Sequence, residues 1–284
     1  MPALKLDFSK LISQIPEHAG DMPPESERPI EHFQHDASGY WNLMRYFDRK
    51  TADGSPGPRE RHVLRLRSMV VLGIVETFER FLKETAAVCV DQLAGRVLDD
   101  RFAALSVNAR SIAAHFAEKT LGKALCEAST WLDSGEINAR FGRLLADPFK
   151  GPSFKLLPDP EQRKDPDHWR RSSIDILWQL RHSIAHNSGV ITRSDAAKLR
   201  LLRRGAVDGH KVLQLTNGDV WYVKLFLEDL TAWMNARIAG RLAEVLTAIH
   251  ADDSNLFAPL EVADRLAEIF REPISLAGVA GTPH

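Results

Sequence analysis

The sequence predicts an all-α protein, a helical bundle with one small β-like hairpin between its third and fourth core helices. Three observations carry that prediction. Four long segments of the 284-residue chain repeat apolar residues at steps of three and four, which lines them up on one helical stripe. Strand-like runs are few and short, and helices of this length pack as bundles. A content of 44% hydrophobic and 26% charged residues suits an ordinary globular protein and excludes wholesale disorder.

The first core helix is expected from Arg59 to Asp91, with Leu66, Val70, Ile74, Phe78, Phe81 and Val88 on its apolar stripe. The second is expected from about Ser106 to Leu132, through Ile112, Phe116, Leu121, Leu125 and Leu132. The third runs from His168 to His186 on Trp169, Ile174, Leu177 and Ile184, and Asn187-Ser188-Gly189 is a suitable stop. The fourth spans about Val220 to Ile249, and a shorter helix follows Pro259 through Phe270. Between residues 147 and 167, Pro148, Pro152, Pro158, Pro160 and Pro166 exclude a regular helix and predict a long surface loop. The hairpin is read from Val190-Ile191-Thr192 and Val212-Leu213-Gln214-Leu215, divided by a basic segment and an Asp208-Gly209 turn.

Three regions follow. Residues 1–58 read as an N-terminal extension that packs on the bundle. It has an amphipathic piece from Leu4 to Ile15, a Pro/Glu-rich break at Met22 to Pro29, and an aromatic cluster of Phe33, Tyr40, Trp41, Tyr46 and Phe47. Residues 59–271 form the helical domain, and 272–284 a small-residue-rich flexible tail. Lys5, Asp7 and Lys10 are wrong for a signal peptide and no apolar run is long enough to span a bilayer, so the expectation is a cytoplasmic protein without a membrane partner. Cys89 and Cys126 lack partners at zinc-finger spacing and read as core thiols.

The chemistry concentrates in Arg181-His182-Ser183-Ile184-Ala185-His186-Asn187-Ser188-Gly189, at the end of the third helix. An Arg holds phosphate and a His exchanges protons near neutral pH, a pair able to cut RNA without a metal or cofactor. At ~100° per residue, Arg181 and His186 are offset by ~140° and do not share a face. Two copies related by a twofold axis would bring both Arg-His sets into one cleft. Catalysis is assigned to Arg181 and His186, with His182 and Asn187 supporting. His182 and His186 also have the i,i+4 spacing of zinc ligands, but Ser183 stands where a general-base Glu belongs and no third ligand is evident. P-loop, dinucleotide and nucleophile-elbow motifs are absent from the sequence. Glu76, Glu79 and Arg80 could reach the site, or simply form an ion-paired helix face.

The net charge is −1, from 37 basic and 38 acidic residues, so attraction to nucleic acid must be local. Arg193, Lys198, Arg200, Arg203, Arg204 and Lys211 follow the motif, against only Asp195 and Asp208; Arg163, Lys164, Arg170 and Arg171 precede it. These are expected to contact RNA phosphates, or else to form a solvated face.

Paired helices, an Arg-His-x3-His-Asn-x-Gly terminus on the third, a short β-like excursion and a long fourth helix resemble the HEPN superfamily of RNA-cleaving domains, over about residues 59–249. Arg181, His182 and His186 fall on that family's Arg, polar residue and closing His. The resemblance implies a homodimeric, metal-independent endoribonuclease leaving 2′,3′-cyclic phosphate ends. It also implies a role in toxin-antitoxin or antiviral defence, with an antitoxin or other defence-system protein as partner. A non-catalytic HEPN-like module binding RNA or protein, and a metal-dependent hydrolase, are the alternatives. Many members paired with a nucleotidyltransferase antitoxin have Tyr two residues after the His; Ser188 stands there, so regulation through that Tyr is not expected.

Overall fold

The structure, a computed structural model, describes residues 28–52, 60–97, 99–102, 105, 121–127, 130–146, 148–149, 166–203 and 208–276. At residues 49–52, 61, 99, 123–124, 127, 166–172 and 202–203 it describes the backbone alone. It is mostly helical, with one small antiparallel sheet. In chain order the helices are α1 (Pro29–Ala52), α2 (Glu60–Leu93), α3 (Leu121–Glu127), α4 (Ser134–Leu145), α5 (Pro166–Asn187), α6 (Arg193–Arg203), α7 (Asn217–Asp252) and α8 (Pro259–Phe270). No helix among the described residues is long and apolar enough to cross a membrane.

Helices α2 and α7 form the centre because both are apolar on more than one side. The expected α2 stripe is buried at Val70, Ile74, Phe78 and Phe81, and α7 buries Val220, Leu227, Leu230, Met234, Ile238 and Leu242. A capping box starts α7: the Thr216 hydroxyl accepts from the Asp219 amide (3.1 Å) while the Asp219 carboxylate accepts from the Thr216 amide (2.7 Å).

The N-terminal extension contains α1, a helix that the sequence reading leaves as an aromatic cluster. Ile30, Phe33, Ala37 and Met44 bury into the same core as α2 and α7. Trp41 meets Trp221 of α7 with ring centroids 4.7 Å apart. Tyr40 lies across Gly73 of α2, where a Cβ would sit 2.4 Å from its ring. Only a glycine permits that approach. Arg67 donates to Asn217 (2.6 Å) and Asn217 to Asp48 (2.7 Å), fastening α1, α2 and α7 at one end.

The second expected helix is corrected. Residues 106–120 lie outside the described residues, and the helix ends at Glu127, before Trp131 and Leu132. Trp131 is fully buried from an extended connection; its indole donates to the Cys126 carbonyl (3.0 Å) and its amide to Glu79 (3.2 Å). A separate helix, α4, then starts from Asp133, whose carboxylate accepts from the amides of Gly135 and Glu136. The expected helix thus stops short of Leu132, and α4 is a helix that the sequence reading does not include.

Helix α5 packs against α2 and is tied to the start of α4, where the Ser134 amide donates to Asp175 (3.3 Å). The expected loop at 147–167 falls largely outside the described residues. Phe149 at its start is buried and stacks on Trp233. The tail is held as far as Leu276, which is 1% exposed; residues 277–284 lie outside the described residues.

The two strands are Val190–Ile191 (β1) and Lys211–Val212 (β2), paired antiparallel with Val190 opposite Val212. They are not joined by a tight loop. The segment between them, read from sequence as a basic stretch, contains α6, which buries Ala196 and Leu199 and leaves its charged side outward. Among its described side chains the buried apolar ones are Ala196 and Leu199, and the charges around them mask the helical pattern.

Candidate functional site

The end of α5 is fixed by its own geometry. Ser188 and Gly189 both take left-handed backbone conformations (φ +52° and +81°), turning the chain sharply into β1. The Gly189 amide donates to the Ser183 carbonyl (2.9 Å), and its carbonyl accepts from Leu213 after β2 (2.8 Å). A Cβ at Gly189 would meet nothing within 4 Å, so replacement by Ala is penalised by the backbone alone. Gly189→Ala is expected to lower stability by about 1–2 kcal/mol, measured as a shift in the urea midpoint; an unchanged midpoint would show that the turn is not under this constraint.

On this terminus the expected residues separate into three groups. His182 and His186 come together, ring centroids 4.8 Å apart, with His182 half-buried and His186 exposed to solvent. Arg181 turns toward α2: its guanidinium lies 5.3 Å from the Trp178 ring centroid and 3.8 Å from the Glu76 carboxylate. The Arg181 Nε is buried and has no hydrogen-bond partner among the described residues. Asn187 turns inward and donates to Asp195 (3.2 Å), away from the histidines.

Glu76 is therefore the α2 residue that reaches the site, with its side chain half exposed. Arg80 instead pairs with Asp36 of α1 (2.7 Å), and Glu79 with Lys83 (3.2 Å). Both serve the bundle.

Sequence reasoning missed Asp195, counting it only as one of two acids in a basic stretch. Asp195 is 3% exposed. Its Oδ2 accepts from the Ser183 hydroxyl (3.2 Å), Asn187 (3.2 Å) and the Thr192 amide (3.1 Å), and its Oδ1 from Gln179 (2.7 Å). Thr192 returns a bond by accepting from the Asp195 amide (3.1 Å), closing a capping box on α6. The Thr-x-x-Asp spacing was a readable signal for that cap. Burial raises the Asp195 pKa, but hydrogen bonds from Thr192 and Ser183 and the nearby His182 outweigh it and hold the carboxyl below its ordinary value.

The sign of the linkage follows. A carboxyl with a depressed folded-state pKa contributes stability that is present above its unfolded value, ~4, and lost as pH falls through the folded value. The stability gap between the wild type and Asp195→Asn is expected to shrink between pH 6 and pH 3 in urea titrations. A gap of equal size at both pH values would rule out an ionised Asp195.

The basic residues divide as well. Arg193, Lys198 and Arg200 of α6 are exposed. Lys211 pairs with Asp208 (2.7 Å), so its charge is partly answered within the turn. The side chains of Arg170, Arg171 and Arg203, and all of Arg163, Lys164 and Arg204, lie outside the described residues. No group of three or more His, Cys, Asp or Glu able to hold a metal occurs among the described residues; the His182–His186 pair stands without a third such ligand. Comparison with protein-family models, with characterised proteins and with solved structures finds no match.

Proposed function

We propose that the protein is an HEPN-like, metal-independent endoribonuclease whose working form is a homodimer. The observation that carries this reading is an exposed His186 beside a second imidazole, on a helix end that also presents a loosely paired Arg181. At 3.8 Å the Arg181–Glu76 contact is longer than a charge-assisted hydrogen bond, which leaves guanidinium donors for a phosphate.

In the proposed reaction a base takes the proton of the ribose 2′-OH, and the 2′-oxygen bonds to the adjacent phosphorus. The bond to the 5′-oxygen breaks, and that oxygen receives a proton from an acid. A 2′,3′-cyclic phosphate and a 5′-OH result. His186 moves the proton and Arg181 stabilises charge on the non-bridging oxygens. Because the two side chains diverge around α5, one helix surrounds a single phosphate poorly, and a second copy supplies the complementary set. Arg193, Lys198 and Arg200 hold the flanking phosphates. A function as a toxin or antiviral-defence effector accords with the resemblance.

One observation favours a second reading, a non-catalytic RNA- or protein-binding module: Glu76 gives Arg181 an internal counter-ion, as a purely structural Arg would have. The two separate in one experiment. The purified protein is incubated with total RNA in EDTA, and the new ends are identified. Cyclic-phosphate ends made by the wild type and not by His186→Ala are expected. RNA bound but uncut, with binding unaltered by that substitution, would favour the module, and cleavage abolished by EDTA would favour metal-dependent chemistry.

A further inference from the structure

We infer that Asp195 is a positioning residue for the His182–His186 turn, setting the placement of both rings through a buried clamp on the neighbouring stripe of α5. The inference rests on the proposed reading of those histidines as the reactive groups.

The argument starts from helix geometry. Gln179, Ser183 and Asn187 are spaced i, i+4, i+8 and form one stripe of α5; His182 and His186 form the adjacent stripe, ~100° around. All three residues of the first stripe donate to the Asp195 carboxylate. The fourth donor, the Thr192 amide, belongs to the chain leaving β1. One carboxylate thus joins the last two turns of α5 to the start of α6. Any rotation or fraying of those turns that moved the histidine stripe would have to break these bonds.

The chemistry demands an acceptor at every position. A carboxylate accepts on both oxygens, whereas an amide of the same shape must turn an NH2 toward at least one of the donors. In a site that is 3% exposed, water cannot substitute freely, so the mismatch is felt as displacement of the turn. The Ser183 hydroxyl, also fully buried, has one hydrogen to divide between Asp195 and the Gln179 carbonyl (3.1 Å). His182 directly precedes Ser183 in the chain and His186 directly precedes Asn187, so the clamp holds the backbone next to each ring it positions.

The test compares the wild type with Asp195→Asn and with the milder Asn187→Ala, which removes one donor and leaves the carboxylate. Two quantities are read at a temperature where each variant is folded by circular dichroism: kcat and KM separately on a short RNA, and the NMR signals of the histidine ring protons. A misplaced reacting group loses rate by up to about 10²-fold, so kcat in Asp195→Asn is expected to fall by that order with KM changed less than about threefold. Asn187→Ala is expected to shift kcat in the same direction by less. The ring signals of His182 and His186 are expected to move in both variants, while those of His32 and His35 on α1 stay in place. Unmoved His182 and His186 signals in a folded Asp195→Asn protein would overturn the inference, as would wild-type kcat. If the wild type cuts no RNA, the nuclease reading fails by itself and the ring signals still decide whether Asp195 positions the turn. Should Asp195→Asn not fold, the Asn187→Ala signals decide it.

Discussion

Replacing His186 with Ala is expected to slow RNA cleavage by about 10²- to 10⁴-fold while leaving the folded protein intact. Intactness follows from where the side chain sits. His186 is exposed, its ring touches only His182 among the ring contacts of the structure, and the helix end is closed by Ser188, Gly189 and Asp195 without it. Arg181→Ala is expected to behave differently. Loss of a group stabilising developing charge lowers the rate by about 10²- to 10³-fold. The half-buried side chain also covers Trp178, so its removal destabilises the protein by about 1 kcal/mol through lost packing and cation–π contact. Arg181→Lys separates the two effects, since it keeps the charge and loses the planar fork. Single-turnover cleavage rates set beside thermal melts check all three variants. A folded His186→Ala protein cleaving at the wild-type rate would remove the chemistry from this helix end.

How far the sequence discloses such a site depends on which forces act locally. Helices α2, α5, α7 and α8 are legible because their buried stripes are long and apolar, as in Val70, Ile74 and Phe78, and Pro259 marks the start of α8 at its first helical position. Helix α1 carries an equally regular stripe at Ile30, Phe33, Ala37, Trp41 and Met44. Gly39 and the surrounding His and Asp residues dilute it, and the aromatics read more readily as a cluster than as a helix. In α6 the buried Ala196 and Leu199 pack beside Asp195, whose hydrogen bonds join the helix to α5. That clamp joins residues 8 to 16 positions apart, and only the Thr192–Asp195 cap lies within reach of a local pattern. The candidate site shows the same division. Arg181, His182 and His186 are found from their spacing and Glu76 is one of three candidates on α2, but which of the three meets Arg181, and the Asp195 clamp, are set by tertiary packing.

Phe141→Ala is expected to be the most destabilising of the substitutions proposed, at about 3–5 kcal/mol, or roughly 10 °C in melting temperature. Phe141 is fully buried on α4, edge-to-face with both Trp131 and Phe149 at centroid distances of 5.6 Å, and Phe149 in turn stacks on Trp233 of α7 at 5.8 Å. Removing the central ring leaves Trp131 and Phe149 beside a void that neither can fill without leaving its own neighbour. The polar contacts around α4 would be loosened in consequence: Arg140 donates to the Thr130 carbonyl (2.8 Å) and lies over Trp131, and Arg241 of α7 donates to the Leu145 carbonyl (2.8 Å). One further bond, from the Ser134 amide to Asp175 (3.3 Å), connects α4 to α5, eleven residues before His186. Hydrogen exchange should therefore accelerate in α4 before it does in α1, which meets the core through Met44 and through Phe33, packed edge-to-face on Phe81 of α2. If exchange rises equally in α1 and α4, the aromatic cluster is part of one cooperative core; if it rises first in α4, the histidine-bearing helix is anchored chiefly by α2 and the Asp195 clamp. The second outcome is the expected one, because α5 packs against α2 and Asp195 holds its end without any residue of α4.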